Sequence, residues 1–175
     1  LVLQATSVSE WDAIADKRRE DLLVYIALSQ FSKRPKFSHF PEVVQNDIKG
    51  LFGTYRDACT AADLMLASVG DLRLIANCCQ KSPIGKHLPN ALYVHVSALE
   101  KLNPLLRLYE GCASRTIGRL HDTTLIKFNT NKAKISYLFY PEFDTNPHPT
   151  LHTSMQIDLQ DLHVVYREYE TSENP

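Results

Sequence analysis

The chain has 175 residues, 44% of them apolar, with 19 Lys and Arg against 20 Asp and Glu and a net charge of −1. That size and balance suit one folded domain with a real core, and they exclude a chain that binds nucleic acid simply by being basic. No apolar run approaches the roughly 20 residues that span a bilayer, and no basic segment leads into an apolar one at Leu1, so the expectation is a cytoplasmic protein with no membrane partner.

The first 80 residues read as helical. Ser7 and Glu10 in "SVSE" form a capping-box signature, and Trp11, Ile14, Leu22, Tyr25 and Ile26 then recur near helical spacing up to Ser29. After "KRPKFSHFP" a second helix opens at Pro41 and runs to Gly53 on Val44, Ile48, Leu51 and Phe52. A third covers Thr54 to Val69 with Gly70 as its stop, and "DLRLIANCCQ" makes a fourth, ended by Ser82-Pro83.

The middle turns mixed. Ala91 to Val96 is a short β-rich run, and Ser97 with Glu100 repeats the capping-box spacing for a helix to follow. Asn103 then caps a further helix with Pro104 at its first position and Gly118 past its end. On that helix Leu105, Leu108, Tyr109 and Cys112 form the expected apolar stripe, with Arg107, Gly111, Arg115 and Arg119 at four-residue steps on another face.

The last third is β. Leu125–Phe128 and Ala133–Tyr140 flank the hairpin chemistry of "NTNK", and "SMQIDL" and "HVVYREY" supply two further strands. The expected fold class is therefore α+β: a helical half to about residue 89, then a mixed and β part from about 90 that ends in an antiparallel meander, all in one domain of residues 1–175.

Charge is sorted along this order. Residues 1–80 carry −1; residues 81–134, nine basic against three acidic, carry +6; residues 135–175, one basic against seven acidic, carry −6. The basic middle supplies the candidate nucleic-acid contacts: Lys86, Arg107, Arg115, Arg119, Lys127, Lys132 and Lys134, with Lys81 beside them. Tyr93, Tyr109 and Tyr137 are the aromatic residues interleaved with them, and Tyr109 reads as core.

A second candidate is the loop "YPEFDTNPHPTLH". Glu142 and Asp144 are two apart, so in an extended segment they share a side and offer oxygen ligands to a divalent metal, to which His148 and His152 add nitrogen. The plainer reading is a stiff connection in which Pro141, Pro147 and Pro149 prevent ladder pairing. The four cysteines, Cys59, Cys78, Cys79 and Cys112, lack metal or C-x-x-C spacing and read as free buried thiols. A triad on His95 and Ser97 is arithmetically possible from their spacing, but the capping role already accounts for Ser97 and no G-x-S-x-G elbow is present, so nucleophilic hydrolysis is not the expectation. No G-x-G pair exists among the glycines either, so no cofactor, S-adenosylmethionine included, is expected in this chain, with a divalent metal as the alternative.

"LPNALYVHVSAL", "LLRLYEGC", "KISYLFYPEFDTNPHP" and the terminal "SENP", preceded by "REDLLVYIALSQF" and "RPKFSHFP", resemble the methyltransferase family associated with DNA phosphorothioation gene clusters, over about Arg19 to Pro175. In that family a separate domain would carry the cofactor glycines, so the resemblance implies an accessory, non-catalytic region or a stand-alone relative of it. The absence of an initial Met and the ending on "SENP" agree with a piece of a longer protein. The implied setting is prokaryotic DNA modification or defence. The implied partners are DNA, including modified DNA, and a methyltransferase domain or other modification proteins. A metal-dependent hydrolase or nuclease centred on residues 140–152 and a protein-interaction module are the alternatives.

Overall fold

The computed structural model describes residues 7–169, and these sort into two compact units, one ending at Ser68 and the other beginning at Val69. The first is helical, with α1 (Val8–Leu28), α2 (Glu42–Phe52) and α3 (Tyr55–Ser68). Both halves of the capping box at α1 form, since the Ser7 side chain accepts the Glu10 amide and the Glu10 carboxylate accepts that of Ser7. Pro41 stands at the cap of α2, and Gly53 ends it at φ 82°, a left-handed conformation that favours glycine.

The apolar stripe expected on α1 is only half right. Leu23, Val24, Ile26 and Ala27 are buried where α1 packs against α3, and Ala58 and Ala62 of α3 are fully buried. Trp11, Ile14 and Tyr25 are instead exposed, Trp11 by 51%. Arg34 closes this unit, its guanidinium donating to the Asp63 carboxylate at 2.7 Å and to the Ile26 carbonyl at 3.2 Å.

The second unit is a helix layer on a sheet. It contains α4 (Leu72–Gln80), β1 (Lys86–Leu88), β2 (Ala91–His95), α5 (Pro104–Thr116), β3 (Leu125–Asn129), β4 (Lys134–Phe139), β5 (Thr153–Asp158) and β6 (Val164–Glu168). The sheet is six-stranded in the order β1 to β6, antiparallel at every pairing. The protein is thus α+β with a C-terminal antiparallel meander. Asp71 caps α4, and Asn103 accepts the Leu105 amide to cap α5 with Pro104 in its first turn.

One sheet face is covered. Leu92 and Val94 of β2, Ile126 and Phe128 of β3, and Ile135 and Tyr137 of β4 pack with Ile75 and Cys79 of α4 and with Leu106, Tyr109 and Ala113 of α5. Because α4 belongs to this core, the contacts divide the chain between residues 68 and 69, earlier than the change of character at about residue 89.

Three local expectations are corrected. The Ser97–Glu100 capping box does not form: residues Val96–Lys101 make a 3-10 turn, capped by His95 through its Nδ1. The buried side of α5 runs through Leu106, Leu108, Tyr109, Glu110, Gly111 and Ala113, whereas Leu105 and Cys112 are half-buried. Arg119 lies beyond α5, which ends at Thr116, so it does not continue the Arg107–Arg115 face. No helix among the described residues is long and apolar enough to cross a membrane.

Candidate nucleic-acid interface

Strand alternation places every second residue of the sheet on the face that α4 and α5 leave uncovered. Register then assembles a row across it, Lys86–Tyr93–Lys127–Ser136–Gln156–Val165. The next row on the same face is His95–Leu125–Leu138–Ser154–Arg167. A cleft of about 270 Å³ opens here, with Tyr93, Tyr140 and Tyr169 around it and Lys127 and Arg167 among its cations.

The ammonium of Lys127 lies 5.5 Å from the ring centroid of Tyr93, a cation–π contact that holds the amine on this face. Burial pushes the Tyr140 hydroxyl up from its ordinary range, and the nearby Tyr93 and Tyr169 add to the shift. Gln156 Nε2 donates to Ser136 Oγ at 3.4 Å, and Ser154 Oγ lies 3.2 Å from the Tyr169 hydroxyl. The cleft is therefore lined by three tyrosines, by the polar Ser136, Ser154 and Gln156, and by Leu138, Leu151 and Val165. Lys86, Lys127 and Arg167 form no ion pair with any described residue.

The expected cationic set does not share one surface. Lys86, Lys127 and Lys134 stand on strands of the open face, but Lys134 is engaged by Asp158 at 3.3 Å. Lys132 sits exposed in the β3–β4 connection. Arg107 and Arg115 ride on α5, the layer that covers the other face of the sheet. Arg119 is tied down: its Nε and Nη2 donate to Glu110 Oε1 at 2.9 and 2.7 Å, and the Tyr137 hydroxyl donates to the same oxygen at 2.9 Å. Arg167, Tyr140 and Tyr169 were missed by the sequence reading. The signal that would find them is cross-strand register, which needs the pairing of all six strands at once.

The loop after β4 departs from this site at Tyr140 and returns to it at Leu151. Residues 141–145 turn, with the Phe143 amide donating to the Tyr140 carbonyl and those of Thr145 and Asn146 to the Glu142 carbonyl. The extended geometry that would align Glu142 with Asp144 is thus absent. Asn146 Nδ2 donates to the Glu142 carboxylate at 2.9 Å, His152 Nδ1 lies 2.7 Å from Thr153 Oγ1, and Asp144 and His148 are exposed. Among the described residues no three His, Cys, Asp or Glu side chains are grouped to hold a metal. Phe143 instead packs its ring 5.5 Å from His95 and 6.2 Å from Tyr140, bracing the aromatic rim.

The cysteines are free, with Cys79 buried and the other three half-buried. The chain matches no family model, no curated protein and no solved structure.

Proposed function

We propose that the chain is a DNA-associated accessory domain of a prokaryotic DNA modification or defence protein, holding DNA on the open sheet face while another domain or polypeptide does the chemistry. The observation that carries this reading is the row that sets Lys86, Tyr93 and Lys127 side by side, with Arg167 on the same face. Cations without carboxylate partners among the described residues attract phosphate, and aromatic rings between them offer stacking surface. The resemblance to the phosphorothioation-associated methyltransferases supports the DNA setting, and the lack of a glycine turn supports an accessory part without its own cofactor site.

Fluorescence anisotropy with labelled DNA at increasing salt tests this reading. With three phosphate contacts the logarithm of affinity should fall with that of salt at a slope of about −2 to −2.7, from about −0.7 to −0.9 per contact. Lys127→Ala with Arg167→Ala should flatten the slope by roughly 1.4 to 1.8. Arg107→Ala with Arg115→Ala, on the other layer, should leave it unchanged. Binding indifferent to salt, or lost with the α5 arginines alone, would remove the open face from the proposal.

One observation favours a protein-interaction role for the helical unit as well. Trp11 and Ile14 are exposed beside a groove of about 330 Å³ formed with Gly50 and Leu51 of α2. Large apolar groups grouped on a surface commonly mark contact sites. Sedimentation velocity over a wide concentration range tests the simplest form, self-association, which Trp11→Lys should abolish.

A further inference from the structure

We infer that the cleft on the open face receives one unpaired nucleobase, so that this protein holds single-stranded DNA in preference to duplex. The inference rests on the reading of the open face as the DNA surface and adds the state of the strand and the seat of the base.

Size is the first argument. About 270 Å³ lies just under the roughly 300 Å³ at which small-molecule pockets begin, room for a base with part of its sugar. A duplex keeps its bases stacked inside and offers this cleft only phosphate and sugar. Proteins that read duplex usually place a helix or a two-stranded ribbon in a groove. In this unit α4 and α5 lie against the covered face of the sheet.

The lining is the second argument. Tyr93, Tyr140 and Tyr169 surround one opening, and tyrosine faces stack unpaired bases whatever their identity. In the same lining the Gln156 amide and the Ser136 and Ser154 hydroxyls combine donors and acceptors. Such groups pair with a Watson–Crick edge, which is free only when the base has left its partner. Lys127 and Arg167 stand beside the aromatic groups, where the phosphates flanking a seated base would pass.

The strand arrangement gives the third. Tyr93 lies between Lys86 and Lys127 in one row, and Ser154 neighbours Arg167 in the next, so stacking or edge-reading groups stand beside cations on this face. A flexible single strand can lay base and phosphate alternately onto such a surface. A rigid duplex presents phosphate and sugar and leaves the tyrosines without an unpaired base to stack.

The test uses the full chain with a fluorescein-labelled deoxythymidine oligonucleotide, the same strand paired to its complement, and thymidine monophosphate as the free nucleotide. The expected order is single strand tightest, duplex at least tenfold weaker, and the mononucleotide weakest but competing. Tyr140→Ala and Tyr169→Ala should each weaken single-strand binding about tenfold and duplex binding little, with Tyr140→Phe and Tyr169→Phe near wild type because the ring is kept. Should an alanine variant fail to fold, the wild-type protein still decides: an oligonucleotide carrying one 5-iodouracil should photocrosslink to Tyr93, Tyr140 or Tyr169. Duplex binding equal to or tighter than single-strand binding, or crosslinks confined to α5 or the helical unit, would overturn the cleft while leaving a DNA-binding role standing. No binding to either form at low salt would overturn both.

Discussion

The Tyr137 hydroxyl and the Glu110 carboxylate, 27 residues apart, meet at 2.9 Å beneath the covered face of the sheet, and Glu110 is only 3% exposed. Arg119 completes the group from the segment beyond α5, with its side chain 35% exposed. A buried carboxylate stands only while its partners do.

Arg119→Ala is therefore expected to destabilise the fold by about 2 kcal/mol, below the cost of breaking a fully buried pair, because solvent reaches Arg119 and the Tyr137 hydroxyl remains as a donor to Glu110. Replacing the whole group, Glu110→Leu, Tyr137→Phe and Arg119→Ala together, should cost less than Arg119→Ala alone. Urea unfolding of the two variants checks the order.

Gly85 and Gly53 make a matched pair for substitution by alanine. Both have positive φ, but a Cβ at Gly85 would stand 2.6 Å from the Tyr93 carbonyl oxygen, whereas at Gly53 it meets nothing within 4 Å. Gly85→Ala should cost clearly more than the roughly 1 kcal/mol of strain expected for Gly53→Ala. It should also weaken DNA binding, since the clash falls on Tyr93 beside Lys86. Thermal melts and anisotropy on both variants decide.

Alkaline pH should unfold the protein. Burial pushes the Cys112 thiol up to about 11 and the Cys79 thiol up to about 12 from an ordinary 9.0, and pushes the hydroxyls of Tyr109 and Tyr137 upward as well. All of these are raised in the folded state, so the stability they contribute is complete below the unfolded value near 9 and is lost as pH rises through 11 to 12. Urea midpoints should hold steady up to about pH 9 and then fall. Cys112→Ala should delay the fall.

The loop after β4 yields a contrast between its carboxylates and its aromatic residue. Millimolar Mn²⁺ should leave the melting temperature where it is, and Asp144→Asn should change stability by less than about 0.5 kcal/mol. Phe143→Ala should lower the melting temperature and weaken DNA binding, because the ring braces both His95 and Tyr140. A stabilising shift with Mn²⁺ would restore the metal reading of Glu142, Asp144, His148 and His152.

Local chemistry was legible in the sequence where it acts over a few residues. The Ser7–Glu10 box and the Asn103-Pro104 start lie where spacing predicts, because a cap needs only its own first turn. Ser97–Glu100 has the same spacing and fails, because His95 is already in place to accept the Ser97 amide. The edge strand β1 went unread because three residues, Lys86–Leu88, carry no usable alternation. Glu110 was hidden for another reason: its partners Arg119 and Tyr137 come from the turn after α5 and from β4. The candidate site is the least local feature of all, since Tyr93, Lys127 and Arg167 reach one face only after successive strands pair in register.

Because each strand of the sheet pairs with the next in sequence, most of its ladders close over short stretches of chain. The β1–β2 hairpin turns on Pro89 and Asn90, and the β3–β4 hairpin on residues 130–133. Loops this short close on the microsecond scale or faster. The β2–β3 ladder is different, for 29 residues carrying α5 separate His95 from Leu125. Loop-closure entropy is highest there, and its gain arrives only when α5 settles on Leu92, Ile126 and Phe128. Substitutions at Leu106 or Phe128 should therefore slow refolding, whereas substitutions at Val165 on the distal strand should chiefly speed unfolding.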